Sequence, residues 1–187
     1  MIQPTFSRFH FSSSKNMELL IPGLLLVALM VYASTRIKRT AAEAFEPETI
    51  ETDVFVLEKP EEFLNVINHD LALELQAYSR EFGVENTADV RQACFAVRRF
   101  EGSGIEDVIG FIKDSATIKS DISEVIGERK YRIIEAERIE KGIGYREIYK
   151  LAKSGAAVFE LKITALEDAN DDVLRRIETI LATFIVK

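Results

Sequence analysis

One cysteine and two histidines are all that 187 residues offer to thiol or soft-metal chemistry. With Cys94 alone there is no internal disulfide, so folding does not require an oxidising compartment. His10 and His69 are far apart, and neither has a second His or Cys at ligand spacing. Glycine and proline are few, and no repeat or low-complexity tract is present, as in an ordinary globular chain. Positive charge is also short where the chain is longest. Residues 45–187 hold nineteen basic and twenty-nine acidic residues, a net of −10, whereas residues 1–44 hold five and two, a net of +3. An acidic domain repels phosphate backbones, which excludes nucleic acid as a partner.

The reactive patterns are equally thin. Asp168, Asn170 and Asp172 in "DANDDV" begin like a calcium loop, but Val173 stands where glycine is needed and Thr179 at the twelfth place. Capping of a helix explains them better. "GSG" at 102–104 lacks the rest of a dinucleotide loop. Ser79, Ser103 and Ser154 have no base within a recognisable pattern. His69-Asp70, with Asp53, is the single grouping from which a small hydrolase or metal-dependent site could be built.

What is present is an apolar run. Leu19 to Thr35 is seventeen residues without formal charge, about 26 Å as a helix and near the lower limit for a hydrocarbon core. Leu19, Leu24, Leu25, Leu26, Val27, Leu29, Met30 and Val31 make it apolar all round. One reading is a cleaved signal peptide, with Val31-Tyr32-Ala33 as a small-residue cleavage site. The other is a retained anchor in contact with the lipid bilayer. Arg36, Lys38 and Arg39 directly follow the run and act as a stop, which favours retention. If the chain starts at Met17, Glu18 alone precedes the run, and the basic cluster places the C-terminal domain in the cytoplasm. If residues 1–16, a leader without pattern, are kept, Arg8 and Lys15 reduce the contrast, and the extracytoplasmic alternative stays open. The domains are therefore 1–16 leader, 17–45 transmembrane helix and juxtamembrane extension, 46–52 linker after the break at Pro47, and 53–187 globular domain.

Within that domain, alternation predicts a strand at 53–58, and Pro60 with Glu61 and Glu62 reads as a helix start running over Phe63, Leu64 and Ile67. A strand follows at 73–81. "RQACFAVRRF" predicts a central strand, with Ala93, Phe95 and Val97 on one face and Cys94 and Ala96 on the other. Cys94 is thus a small buried hydrophobe rather than a nucleophile. Ser103 and Glu106 form a capping box for a helix carrying Ile105, Val108, Ile109 and Ile112. Three strands at 131–139, 143–151 and 156–165 form a meander joined by Gly turns. The last helix, capped by Asp168 or Asn170, buries Val173, Leu174, Ile177, Ile180, Leu181 and Phe184. The element order is α+β.

"FVLEKPEEF" near the domain start and "IETILATFIV" at its end, with Thr183-Phe184 in a Ser-Phe place, resemble the Mog1/PsbP-like family. So does a central helix followed by a three-strand meander. The resemblance covers residues 52–187. It implies an antiparallel twisted sheet with helices on both faces, in a family of mostly binding proteins, many of them exported. It supplies no catalytic residues. This chain lacks a lipobox cysteine, so its anchor would be the helix itself.

The reading is a membrane-anchored binding or structural module without catalytic activity, with no metal or cofactor and an unknown protein partner. The solvent face of the meander, with Arg146, Lys150, Glu160 and Lys162, is the expected partner surface. The alternatives are an exported PsbP-like domain released by cleavage, or a small enzyme using Asp53, His69 and Asp70.

Overall fold

The computed structural model describes residues 14–66 and 73–187, with side chains described throughout except at 14–21 and 37–41. His10, Ile67, His69 and Asp70 lie outside the described residues, as do the side chains of Leu19, Lys38 and Arg39.

The chain divides into two units, Met1–Glu43 and Ala44–Lys187. The first contains α1 (Ser14–Glu43). Its Leu24, Leu25, Leu26, Val27, Leu29, Met30 and Val31 are each more than half exposed. Thr35 donates its hydroxyl to the Val31 carbonyl at 2.8 Å, so this polar side chain is satisfied within the helix. No helix among the described residues is long and apolar enough to cross a membrane. The described uncharged part, 22–35, spans about 21 Å, short of the ~30 Å of a hydrocarbon core.

The second unit is α+β. Its elements are β1 (Glu48–Glu51), β2 (Phe55–Lys59), β3 (Phe63–Asn65), β4 (Leu73–Ser79), β5 (Ala93–Glu101), α2 (Ile105–Ser115), β6 (Thr117–Ile126), β7 (Arg129–Glu140), β8 (Ile143–Ser154), β9 (Ala157–Leu166), α3 (Asp171–Thr183) and β10 (Ile185–Val186). Seven strands form one sheet in the order β3-β4-β5-β9-β8-β7-β6, with every neighbouring pair antiparallel. A second sheet holds β1-β2-β10.

Alternation decides the layers. Phe95, Val97, Phe159, Leu161, Ile163 and Ile148 face one way and pack with Val173, Ile177, Ile180 and Phe184 of α3 and with Phe55 and Leu57 of the small sheet. The rings of Phe55 and Phe184 pack tilted with centroids 6.0 Å apart, and those of Phe63 and Phe95 likewise at 5.6 Å. On the other face, Ile134, Ala136, Tyr149, Leu151 and Val158 receive Val108, Ile109 and Ile112 of α2. Helices therefore lie on both faces.

Several elements depart from the sequence reading. The helix expected to open at Pro60 does not form. Glu62 takes a left-handed φ of 65°, and Phe63–Asn65 pairs with β4 instead. Burying Phe63 against Phe95 outweighs the proline start signal. Residues 48–51, expected as linker, pair with β2. The meander has four strands, because β6 precedes the expected three. The cap of α2 is Gly104, whose N–H donates to Asp107 Oδ2 at 2.8 Å, rather than Ser103 with Glu106. Asn170 caps α3 by accepting from the Val173 N–H at 2.8 Å. Between β7 and β8, Lys141 and Gly142 both adopt positive φ, the geometry of a type I′ hairpin turn.

Lys59 fixes the start of the domain. It is 2% exposed, and its ammonium donates to the carbonyls of Ala44 (3.1 Å), Glu46 (2.7 Å) and Phe63 (3.1 Å). Burial holds its pKa below the ordinary lysine value, opposed in part by Glu48. A fragment 44–187 is expected to unfold cooperatively, whereas a fragment 48–187 loses two of those acceptors. The shorter fragment should be less stable by about 2 kcal/mol, the range for hydrogen bonds to a charged group. Equal denaturant midpoints would contradict this role for Lys59.

Candidate functional site

The expected partner surface divides between the two faces of the sheet. Arg146 and Lys150 lie on the α3 side, and Glu160 and Lys162 on the α2 side. Lys150 is buried, and it donates to the Leu181 carbonyl at 2.7 Å, satisfying one of the free acceptors at the end of α3. Its ammonium also lies 4.8 Å from the Tyr131 ring. Arg146 is exposed and meets Glu135 at 3.5 Å. The four residues do not share a solvent face, because they divide between opposite faces and Lys150 and Glu160 are buried.

On the α2 side, cross-strand neighbours bring charge inside. Glu147 is fully buried. It accepts from the Tyr149 hydroxyl at 2.5 Å, from Arg138 Nε at 2.9 Å and from Lys162 Nζ at 3.0 Å. Burial alone would raise its pKa. The hydrogen bond from Tyr149 and the charges of Lys162 and Arg138 outweigh that and hold the carboxyl below its ordinary value. Tyr149 is pushed well above the ordinary phenol value, by burial first and then by Glu147. Cys94, half-buried beside Thr164 and Lys162, is raised by burial and keeps its proton. A carboxylate held this firmly is a poor base, and a protonated thiol a poor nucleophile. The cluster holds strands β7, β8 and β9 together.

Glu160 differs. It is 3% exposed, and its Oε1 has no hydrogen-bond partner among the described residues. Burial raises its pKa against the pull of Arg98 and Lys162, with Glu147 adding to the rise. Its folded pKa lies above its unfolded one. Its contribution to stability is therefore present below the unfolded pKa and lost as pH rises through the folded value. Glu160→Gln keeps the neutral shape at every pH. It should match the wild type in acid and exceed it at pH 8, by about 1 kcal/mol for removing an unpaired buried charge. A variant less stable than wild type at pH 8 would show that Arg98 binds the carboxylate.

Of the small-enzyme grouping, Asp53 is exposed, and its companions lie outside the described residues. No group of three His, Cys, Asp or Glu suited to a metal is found among the described residues.

A cleft of about 750 Å³ opens at the end of the large sheet where β6 turns into β7. The sequence reading missed it because it missed β6; the one signal was Gly127, at φ 62°, between the apolar "VI" and "Y". The turn supplies Ile126, Gly127, Glu128, Arg129 and Lys130, and β7 supplies Tyr131 and Arg132. Ile105 and Glu106 of α2, Lys153 of β8, and Ile185 and Val186 of β10 complete the wall. The Tyr131 hydroxyl accepts from the Val186 N–H at 3.0 Å, which fixes the floor. Arg129 donates to the Lys153 carbonyl at 2.7 Å, and Arg132 is forked onto Asp121. Neither the Lys130 nor the Lys153 ammonium has an ion-pair partner among the described residues. A second hollow, about 350 Å³ between Pro47 and Thr179, is lined by Glu48, Glu58 and Glu61 beside the engaged Lys59.

No protein-family profile and no curated protein matches the chain. Solved structures do. Cyanobacterial PsbP (CyanoP) from Synechocystis sp. PCC 6803 aligns with a TM-score of 0.56 at 12% identity, over 76% of this chain and 92% of that one. LpqN of Mycobacterium tuberculosis, described as involved in cell envelope biogenesis, aligns with a TM-score of 0.53 at 12% identity, over 76% and 91%. At such identity the likeness speaks for the fold alone, and residues 44–187 have a PsbP-like α+β fold.

Proposed function

We propose that the chain is a membrane-tethered binding module without catalytic activity, with its domain in the cytoplasm and its ligand or partner held in the cleft at the sheet end. The cleft carries the reading. About 750 Å³ lies within the range of small-molecule sites, and two lysines on its rim have no partner among the described residues. The polar cluster around Glu147 supports it from the other side, since its charges are engaged with one another rather than aimed at a reactant. The tether rests on sequence: the uncharged run Leu19–Thr35 adds three residues to the described apolar part of α1, and Arg36, Lys38 and Arg39 follow it.

A photoreactive residue at the exposed cleft residue Glu128, with a control at exposed Glu178 of α3, tests the site in native membranes. Discrete adducts from position 128 and none from 178 are expected. Absence of adducts at 128, or the same adducts at both positions, would contradict binding at the cleft.

A further inference from the structure

The lining of this cleft indicates which ligand it takes, and this step rests on reading the cleft as the binding site. Its floor is apolar: Tyr131 and Val186 are buried, Ile105 and Ile126 half-buried, and Ile185 is 44% exposed. An exposed isoleucine beside a half-open apolar floor favours an apolar occupant. The rim has the opposite sign to the domain, which is net −10 over residues 45–187. Arg129, Lys130, Arg132 and Lys153 face Glu106 and Glu128. The charge of Arg132 is matched by Asp121, which leaves three positive groups against two negative ones. One anionic charge balances that rim, whereas a polyanion would meet Glu106 and Glu128 unpaired. A small inorganic anion would leave the floor wet and uncovered.

We infer that the cleft binds a single-chain amphiphile with one negative charge, a long-chain carboxylate, its chain on Ile105, Ile126 and Ile185 and its head at Lys130 and Lys153. A membrane supplies such molecules, and a tethered domain meets them at high local concentration.

The test uses the full chain in discs of phosphatidylcholine and a long-chain carboxylate carrying a diazirine in its chain, with labelled residues mapped by mass spectrometry. Labelling is expected within 126–132 and at 185–186. The unlabelled carboxylate should compete at least about tenfold better than the alcohol of equal length, and inorganic phosphate should not compete. Lys130→Glu with Lys153→Glu should lower labelling about tenfold while the circular dichroism and melting midpoint stay unchanged. Both side chains are exposed; should the double variant still misfold, Lys130→Gln alone shows the same loss to a smaller degree. Labelling confined to residues 19–35, equal competition by the alcohol, or competition by phosphate would overturn the inference. A protein adduct at position 128 without carboxylate labelling would remove this ligand and leave the binding role. No adduct of either kind would remove both.

Discussion

Ile180→Asp is expected to destabilise the domain by about 4 kcal/mol or more, a large part of the ~5–15 kcal/mol that holds a typical domain together. Ile180 is fully buried on α3, in the cluster with Phe55, Val173, Ile177 and Phe184. The side chains packed around it, Phe55, Val173, Ile177 and Phe184, carry no hydrogen-bond donor for a carboxylate. The helical spacing of "VLRRIETILATF" marks Leu181 as an equal member of this face, yet Leu181 is only half-buried. Leu181→Asp should therefore cost less than half as much. The denaturant midpoints of the two variants, at unchanged slope, check the difference. A midpoint for Ile180→Asp equal to wild type would mean that α3 does not dock as described.

Glu147→Ala should cost about 3 kcal/mol at neutral pH, at the low end for breaking a buried pair because Arg138 and Lys162 keep partial access to water. The sign with pH is fixed by the direction of its shift. The folded pKa is depressed, so the stabilisation is present above the unfolded carboxyl value and is lost as pH falls through the folded one. The gap between wild type and Glu147→Ala should shrink from pH 7 toward about pH 3. Glu160, raised rather than lowered, runs the other way, so the two neighbouring carboxyls oppose each other in the pH profile. A gap independent of pH would show that Glu147 contributes packing and not charge. Tyr149→Phe, which removes one donor and keeps the ring, should cost about 1 kcal/mol.

The parts of the fold that were legible are those where one physical signal dominates. Alternation in "AAVFELKITA" placed Ala157, Phe159, Leu161, Ile163 and Ala165 on one face, and the register puts them there. Apolar residues on both sides of "ACFAV" marked a covered central strand, and β5 sits between β4 and β9. Illegible parts lay where local and long-range forces conflict. "TIKSDISEVI" alternates poorly because β6 is an edge strand, largely exposed, with a register shift between Ile118 and Ser120. "ETIE" looks like an acidic linker, since a four-residue strand with one half-buried side chain leaves little pattern. The common solvent face expected of Arg146, Lys150, Glu160 and Lys162 does not form, for a different reason. Charged residues at alternate positions ordinarily mark solvent, but here Glu147 and Glu160 are buried, and Arg138 and Lys162, half-buried, reach across strands to Glu147. Cross-strand pairing is long-range information that a single sequence does not display.

Tethering is tested most directly by labelling a Glu178→Cys, Cys94→Ala chain on intact cells with an impermeant thiol reagent and following the protein into the alkali-washed membrane fraction. Glu178 is exposed on α3, whereas Cys94 is half-buried and protonated and would react poorly. The expected result is protein retained in the washed membranes, with its run at 19–35 intact, and labelled only after lysis. Labelling before lysis would place the domain outside, and soluble protein with a mature N-terminus at Ser34 would show that the run is a cleaved signal rather than an anchor.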